Sequence, residues 1–246
     1  MVDTARNFGG SMPEYYDSIM GPAQFEPFGA DLVRRLPPDP GGDVLEIACG
    51  SGRVTRRLRE RLEPKIRLVA SDISSAMLDY AGRKVAGDNA FGLMFVPDKA
   101  GAIGEARRVL REGGVFLFNV WDGLEQNPHG AAAAKVLEGL YPGDPEMKFG
   151  SLPYLFNDQR QIRQLLEAAG FREVRSEPVR IACSCPSARL YATGQLRGTP
   201  RGALLEQRGA SLDDVIGKVA AELAQVGGAE PFNFTAQALL VEARAG

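Results

Sequence analysis

The feature that most constrains the fold is a short apolar run that breaks into small residues and reopens as a helix. Residues 44–47 read Val-Leu-Glu-Ile and are β-prone, residues 48–52 read Ala-Cys-Gly-Ser-Gly, and a helical pattern follows at 53–62. Glycines at such a turn let backbone N–H groups approach a ligand, and the next helix presents its positive end to it. The pattern predicts a strand, a nucleotide-binding turn and a helix.

Strands and helices alternate after this unit. A second short strand is predicted at 66–71, followed by Asp72 and by a helix that Ser74 caps. Further along, 101–110 has a helical pattern and 115–120 is a strongly apolar strand. Because alternating strands and helices form parallel sheets with right-handed crossovers, this half of the chain predicts an α/β fold.

The C-terminal half is predicted to complete the sheet and to cover it. The predicted elements are a helix at 158–169, a strand at 173–183, helices at 188–196 and 212–226, and a final strand at 238–243. Residues 1–40 form a helical lead-in, and 123–153 and 186–234 are cap insertions. The prediction is one domain over 1–246, with a Rossmann-like, mostly parallel sheet, helices on both faces and a C-terminal antiparallel strand.

The composition limits the classes of partner. The 246 residues are 44% hydrophobic, enough for one core, and the formal net charge of -2 indicates no attraction to nucleic acid. No stretch is long and apolar enough to span a membrane. Cys49, Cys183 and Cys185 are too few for a disulfide framework and lack partners for a metal site. We expect a cytoplasmic protein without a metal, and a homodimer is compatible with the sequence.

Two acidic residues extend the nucleotide prediction. Glu46 lies within the first strand, and Asp72 ends the second, where a carboxylate accepts hydrogen bonds from ribose hydroxyls. A dinucleotide fingerprint needs a third glycine, but Thr55 stands at that position, and no Gly-Lys-Ser/Thr phosphate loop follows. The pattern therefore favours a nucleoside ligand without a pyrophosphate.

These motifs resemble the class I S-adenosylmethionine-dependent methyltransferases, in particular the branch of ubiquinone and menaquinone biosynthesis. The resemblance rests on residues 44–52, 71–74, 105–114 and 165–171. It implies methyl transfer from S-adenosylmethionine to a small organic acceptor, with S-adenosylhomocysteine as the product. The acceptor stays open, as does the choice between O-, C- and N-methylation.

The resemblance also implies roles for individual residues. Asp72 would hold the ribose hydroxyls, Ile73 and Met77 would flank the adenine, and Tyr16 would close over the cofactor. The residues implied to bind the cofactor are Tyr16, Glu46, Ala48, Gly50, Ser51, Gly52, Asp72, Ile73, Met77 and Phe91. His129, the sole histidine, lies in a polar stretch near the acceptor side. It is either a general base for an acceptor that must lose a proton or an ordinary solvated loop histidine.

Two departures from the family pattern stand out. Ala48 replaces a more usual glycine, which alanine tolerates if its φ is negative. Between Gly87 and Pro97 the family would need two further strands, and the residues available are too few for them. Because loss of central strands would expose apolar faces, we predict that a segment is missing near Asn89 and Ala90.

Other functions stay open at this point. A non-catalytic protein that binds S-adenosylmethionine or S-adenosylhomocysteine has the same motifs. An NAD-dependent oxidoreductase is disfavoured by Thr55. A nucleic-acid methyltransferase is disfavoured because the sequence has no basic stripe and no Asn/Asp-Pro-Pro-aromatic motif.

Overall fold

A computed structural model describes residues 10–37, 39–84, 93–144, 147 and 152–246. The described chain begins with one continuous helical segment, here called the strap, which consists of α1 (Met12–Tyr15), a π-helix (Tyr16–Phe25) and α2 (Glu26–Arg35). Pro22 lies within the π-helical part, where its missing N–H would interrupt an α-helical ladder. The strap falls within residues 1–40, the range predicted from the sequence as a helical lead-in.

The first sheet is a parallel pair. Strand β1 (Val44–Ile47) pairs with β2 (Leu68–Ser71) in a register that places Glu46 opposite Ala70. Helix α3 (Arg53–Arg61) follows β1, and α4 (Ser75–Lys84) follows β2. The strand, glycine turn and helix predicted from the sequence are confirmed.

The second sheet is antiparallel, with the strand order β3–β5–β4. Its strands are β3 (Val115–Trp121), β4 (Phe171–Cys185) and β5 (Phe232–Ala245). Strand β3 ends where Trp121 lies opposite Ala238, whereas β4 and β5 continue as a ribbon to the pair Cys185 and Phe232. The predicted α/β class, with parallel strands and antiparallel pairing at the C-terminus, is confirmed. In the described residues the strands are divided between two sheets, where the sequence analysis predicted one mostly parallel sheet.

Helices pack around these sheets. They are α5 (Lys99–Val109), α6 (Pro128–Leu140), α7 (Gln159–Ala168), α8 (Ala188–Arg197), α9 (Pro200–Gln207) and α10 (Leu212–Gly227), with 3-10 turns at Leu93–Phe95 and Leu152–Tyr154. The sequence analysis missed α6 and α9. Both begin with proline at a first-turn position, a recognised helix-start signal, and α6 continues into an alanine run. Within the described ranges, no helix has the length and apolar character that crossing a membrane requires.

The parallel pair leaves one apolar face open. Leu45 is 46% exposed, Ile47 52% and Val69 37%. The opposite face of this unit packs on a small core that includes Val54 and Leu58 of α3. No strand joins the two sheets within the part of the chain that the structure describes. The segment predicted to be missing near residues 89 and 90 falls in a range outside the described residues.

Candidate functional site

The turn between β1 and α3 has left-handed backbone at three positions. The φ angles are +61° at Ala48, +53° at Gly50 and +101° at Gly52. The turn is tied to the second strand, because the Cys49 N–H donates to the Ser71 carbonyl at 2.9 Å. The sequence analysis expected alanine to be tolerated at position 48 if its φ were negative. The observed φ is positive, so this condition is not met. An L-residue in this region costs about 1–2 kcal/mol because its Cβ crowds the backbone.

Asp72 joins the end of β2 to this turn. Its Oδ2 accepts from the Gly50 N–H at 2.8 Å, and its Oδ1 accepts from the Ser74 N–H at 2.8 Å. The side chain is half-buried. A carboxylate has about four lone-pair positions, so each oxygen that accepts one N–H can accept a further donor. Two vicinal hydroxyls, as on a ribose, match this arrangement.

Glu46 is buried, at 6% exposure, and accepts a hydrogen bond from the Thr55 hydroxyl. Its carbonyl accepts from the Ser71 hydroxyl at 3.1 Å. The carboxylate therefore joins β1 to α3, at the position where the dinucleotide fingerprint would have a third glycine. Glu46 and Asp72 come from neighbouring strands, and both act on the glycine turn or the helix that follows it.

Asp17, from the strap, is a site residue that the sequence analysis did not identify. It is 4% exposed, and its Oδ1 accepts from the Ser51 hydroxyl at 2.9 Å and from Arg53 Nε at 2.8 Å. The Tyr80 hydroxyl lies 3.2 Å from Oδ2. Burial alone lowers the pKa of Arg53, but hydrogen bonds and charges from Asp17 and Glu26 outweigh it and leave that pKa raised. Asp17 and Arg53 are 36 residues apart in the sequence, so no local pattern predicts their contact.

The other implied cofactor residues have different surroundings. Tyr16 is half-buried in the strap and stacks on Phe25, with the ring centroids 4.9 Å apart. Ile73 is 58% exposed beside Asp72, whereas Met77 is 4% exposed and lies in the interior. Phe91 lies outside the described residues.

His129 is not in a solvated loop, and that expectation is wrong. It lies in the first turn of α6 with 0% exposure, because its ring is enclosed by aromatic residues, with the Phe234 centroid at 4.6 Å. Its Nε2 lies 3.2 Å from Gln24 Nε2 of the strap. Burial lowers the pKa of His129 to about 3, and the Thr235 backbone opposes this shift in part. The imidazole is therefore neutral and weakly basic in this structure.

Comparisons with known proteins show which families the chain is similar to. Residues 44–96 match the sequence model of a methyltransferase domain family. The chain is 30% identical over 84 residues to a demethylmenaquinone methyltransferase of Symbiobacterium thermophilum. This match covers 33% of this chain and 34% of that protein. It is 25% identical over 173 residues to a ubiquinone/menaquinone biosynthesis C-methyltransferase of Geobacter sulfurreducens, covering 54% and 66%. The matches thus span between about a third and two thirds of these relatives.

A solved structure with a similar fold is a phosphoethanolamine N-methyltransferase of Haemonchus contortus, in complex with phosphomonomethylethanolamine and S-adenosylhomocysteine. Its TM-score is 0.55 at 15% identity, over 95% of this chain and 56% of that one. This likeness concerns the fold alone. With the sequence matches, it confirms the resemblance to class I S-adenosylmethionine-dependent methyltransferases of the ubiquinone and menaquinone branch.

Replacement of Ala48 by glycine tests the strain in the turn. We expect Ala48→Gly to raise the free energy of unfolding by about 1 kcal/mol, because glycine adopts positive φ without a Cβ penalty. The measurement is urea unfolding at equilibrium. The control, Ala102→Gly within α5, should lower the same quantity by roughly 1 kcal/mol, since glycine is unfavourable in a helix. Equal losses for both variants would contradict a left-handed residue 48.

The burial of His129 makes stability depend on pH. The unfolded chain titrates at this residue near pH 6.5, the folded chain near its pKa of about 3. Between these values the unfolded state binds the extra proton, so the free energy of unfolding falls as pH falls, by up to about 1.4 kcal/mol per pH unit. From about pH 7 to about pH 5.5, the wild type should lose roughly 1 kcal/mol more than His129→Gln in urea unfolding. Equal losses would show that His129 is not buried in its neutral form.

Proposed function

We propose that the protein is an S-adenosylmethionine-dependent methyltransferase that acts on a small organic acceptor. The observation that carries the proposal is the hydrogen bond from the Gly50 N–H to Asp72. It holds a carboxylate with free acceptor positions against a glycine turn. The methyltransferase-domain match covers this same region, residues 44–96. S-adenosylhomocysteine would be the product.

The residues present fit the nucleoside part of this cofactor. Asp72 has acceptor positions for two ribose hydroxyls, and exposed Ile73 offers an apolar surface next to them for an adenine ring. At Gly50 and Gly52 the backbone of the turn can approach the cofactor closely, because these two residues have no side chains. Ser51 is turned toward Asp17, which holds the turn in place from the opposite side.

In the proposed reaction, the sulfonium of the bound cofactor supplies an electrophilic methyl carbon. The chain therefore has to hold the acceptor in line with that carbon and to exclude water. In this proposal the strap, which contacts the glycine turn through Asp17 and Ser51, covers the site. A base is needed only for an acceptor that loses a proton in the reaction.

The proposed acceptor is a small molecule because the formal net charge of -2 gives no attraction to a nucleic-acid backbone. Helices α6 and α8 to α10 are here called the cap. Of these, α6, α8 and α10 pack on the ribbon of β4 and β5, and α9 packs on α8. The three cysteines are buried thiols and not disulfides, which supports the proposed cytoplasmic location. A non-catalytic cofactor-binding protein is the second candidate, because the cofactor residues alone are common to both functions.

Calorimetric titration tests the cofactor. The wild type should bind S-adenosylmethionine and S-adenosylhomocysteine but not NAD. Asp72→Asn should raise the Kd for S-adenosylmethionine about tenfold or more, since one charged hydrogen-bond acceptor is lost. The control is Asp79→Asn, which changes an exposed carboxylate on α4 and should leave the Kd unchanged. Absence of S-adenosylmethionine binding by the complete protein isolated from its native source would refute the proposal.

Activity separates the two candidates. The protein is incubated with S-adenosylmethionine and a panel of phenols, quinols and amines, and methylated products are sought by mass spectrometry. Transfer to any member of the panel supports the methyltransferase. Tight binding with no transfer to any of them favours the non-catalytic protein.

We also propose that the functional protein carries a segment that the 246-residue sequence lacks, near Asn89 and Ala90. Two observations support it. The open face at Leu45 and Ile47 is what the loss of neighbouring strands would expose. The Geobacter alignment is 173 positions long but uses 54% of this chain, about 133 residues, so about 40 positions have no counterpart here.

The intact mass of the protein isolated from its native source tests the missing segment. The present sequence has a mass of 26.5 kDa, and about 40 further residues would add about 4 kDa. Peptide mapping should place the additional residues between Lys84 and Leu93. A native mass of 26.5 kDa would reject the segment.

A further inference from the structure

The strap lies directly against the helix that follows the glycine turn. Besides the bonds of Asp17, a Cβ at Gly21 would overlap the Arg53 guanidinium. A Cβ at Gly29 would lie 2.8 Å from Val54 Cγ2, which is closer than such atoms approach. Both glycines therefore bring the strap backbone into contact with α3, and a shift of the strap would change the surroundings of the turn.

The opposite side of the strap lies equally close to the cap. A Cβ at Gly194 of α8 would be 2.8 Å from Ile19 Cγ2, and one at Gly198 would be 2.9 Å from the Tyr16 backbone nitrogen. The strap is thus clamped between α3, which belongs to the proposed cofactor site, and α8, which belongs to the cap.

A buried polar cluster joins the strap to the cap at its far end. Gln24 is 2% exposed, its Oε1 accepts from the Tyr191 hydroxyl, and its Nε2 lies 3.2 Å from His129 Nε2. With the amide nitrogen as donor, His129 Nε2 is the acceptor, and the imidazole proton is on Nδ1. The three side chains come from the strap, α6 and α8, and all three are buried. A buried polar group that loses its partner is unfavourable, so this cluster specifies one position for the strap.

Building on the proposed function, we infer that Gln24, His129 and Tyr191 are positioning residues that fix the strap over the glycine turn and so set the affinity for the cofactor. Gln24 and Asp17 lie at opposite ends of the same π-helix, and Asp17 holds Ser51 and Arg53. His129 acts in this arrangement as a hydrogen-bond acceptor for the strap, because its ring is fully buried among aromatic side chains. In this role His129 does not take a proton from the methyl acceptor.

The chain contains its own reporter of the strap position. Trp121 is the sole tryptophan, is 4% exposed, and lies at the end of β3. Its ring contacts two strap residues, Phe25 with centroids 6.0 Å apart and Phe28 with centroids 5.0 Å apart. Displacement of the strap would admit water to this ring, so the emission of Trp121 reports strap position without any cofactor.

The experiment compares variants that remove or keep the hydrogen-bond acceptor at position 129. We expect His129→Leu and Gln24→Met to shift Trp121 emission to longer wavelength and to raise the Kd for S-adenosylmethionine about tenfold. His129→Gln, which offers an amide oxygen to Gln24, should restore both properties to near the wild-type values. Gln161→Met, on the exposed side of α7, is the matched control and should change neither.

Several results would overturn the inference. Wild-type emission and affinity in His129→Leu and Gln24→Met would show that the cluster does not position the strap, even if the unfolding midpoint falls. Equal effects of His129→Gln and His129→Leu would show that the ring, and not its acceptor nitrogen, is required. If the complete protein from its native source binds no S-adenosylmethionine, the proposed function fails, and the emission of Trp121 still decides whether the cluster holds the strap.

Discussion

The hydrogen bond from the Gly50 N–H to Asp72 is the constraint on which the site depends. It ties a left-handed turn after one strand to the carboxyl end of the next strand, at 2.8 Å. The parallel pairing of β1 and β2 places the two ends side by side, and the bond then fixes the turn relative to the carboxylate. Because the same carboxylate also receives the Ser74 N–H, it is held at both oxygens before any ligand arrives. Such preorganisation reduces the entropy lost on binding.

The turn is held from its other side by a partly buried ion pair. Asp17 is 4% exposed and pairs with Arg53 at 2.8 Å while also accepting from Ser51. Asp17 is buried, whereas the Arg53 side chain is 20% exposed and also pairs with Glu26. Loss of Arg53 would therefore leave the Asp17 carboxylate without its counter-charge, at a cost of up to about 3–5 kcal/mol. The pair thus makes the position of the strap and the conformation of the turn depend on each other. At the far end of the π-helix, Gln24 connects the same strap to His129 and Tyr191.

The division of the strands into two sheets has a physical consequence for the chain as it stands. Leu45, Ile47 and Val69 present an apolar stripe on one face of the parallel pair, at exposures of 37% or more. An exposed two-stranded pair has little stability of its own and relies here on α3 and the small core beneath it. The antiparallel sheet, in contrast, is buried in the main core with the strap and the cap. The glycine turn therefore lies on the unit that has the smaller hydrophobic core.

Local sequence was sufficient for the strand, turn and helix at 44–62, for Asp72 and for most helices and strands, because strand periodicity, glycine turns and helix caps act over a few residues. It was insufficient for Ala48, whose positive φ follows from the closure of the turn onto β2, and for α6, whose alanine run has no amphipathic pattern. Only the tertiary structure showed that Asp17 reaches the turn and that His129 is buried against Gln24, 105 residues away in the chain. The reason is that a side chain acquires its partner and its exposure from elements distant in sequence, and no local pattern records which elements will meet.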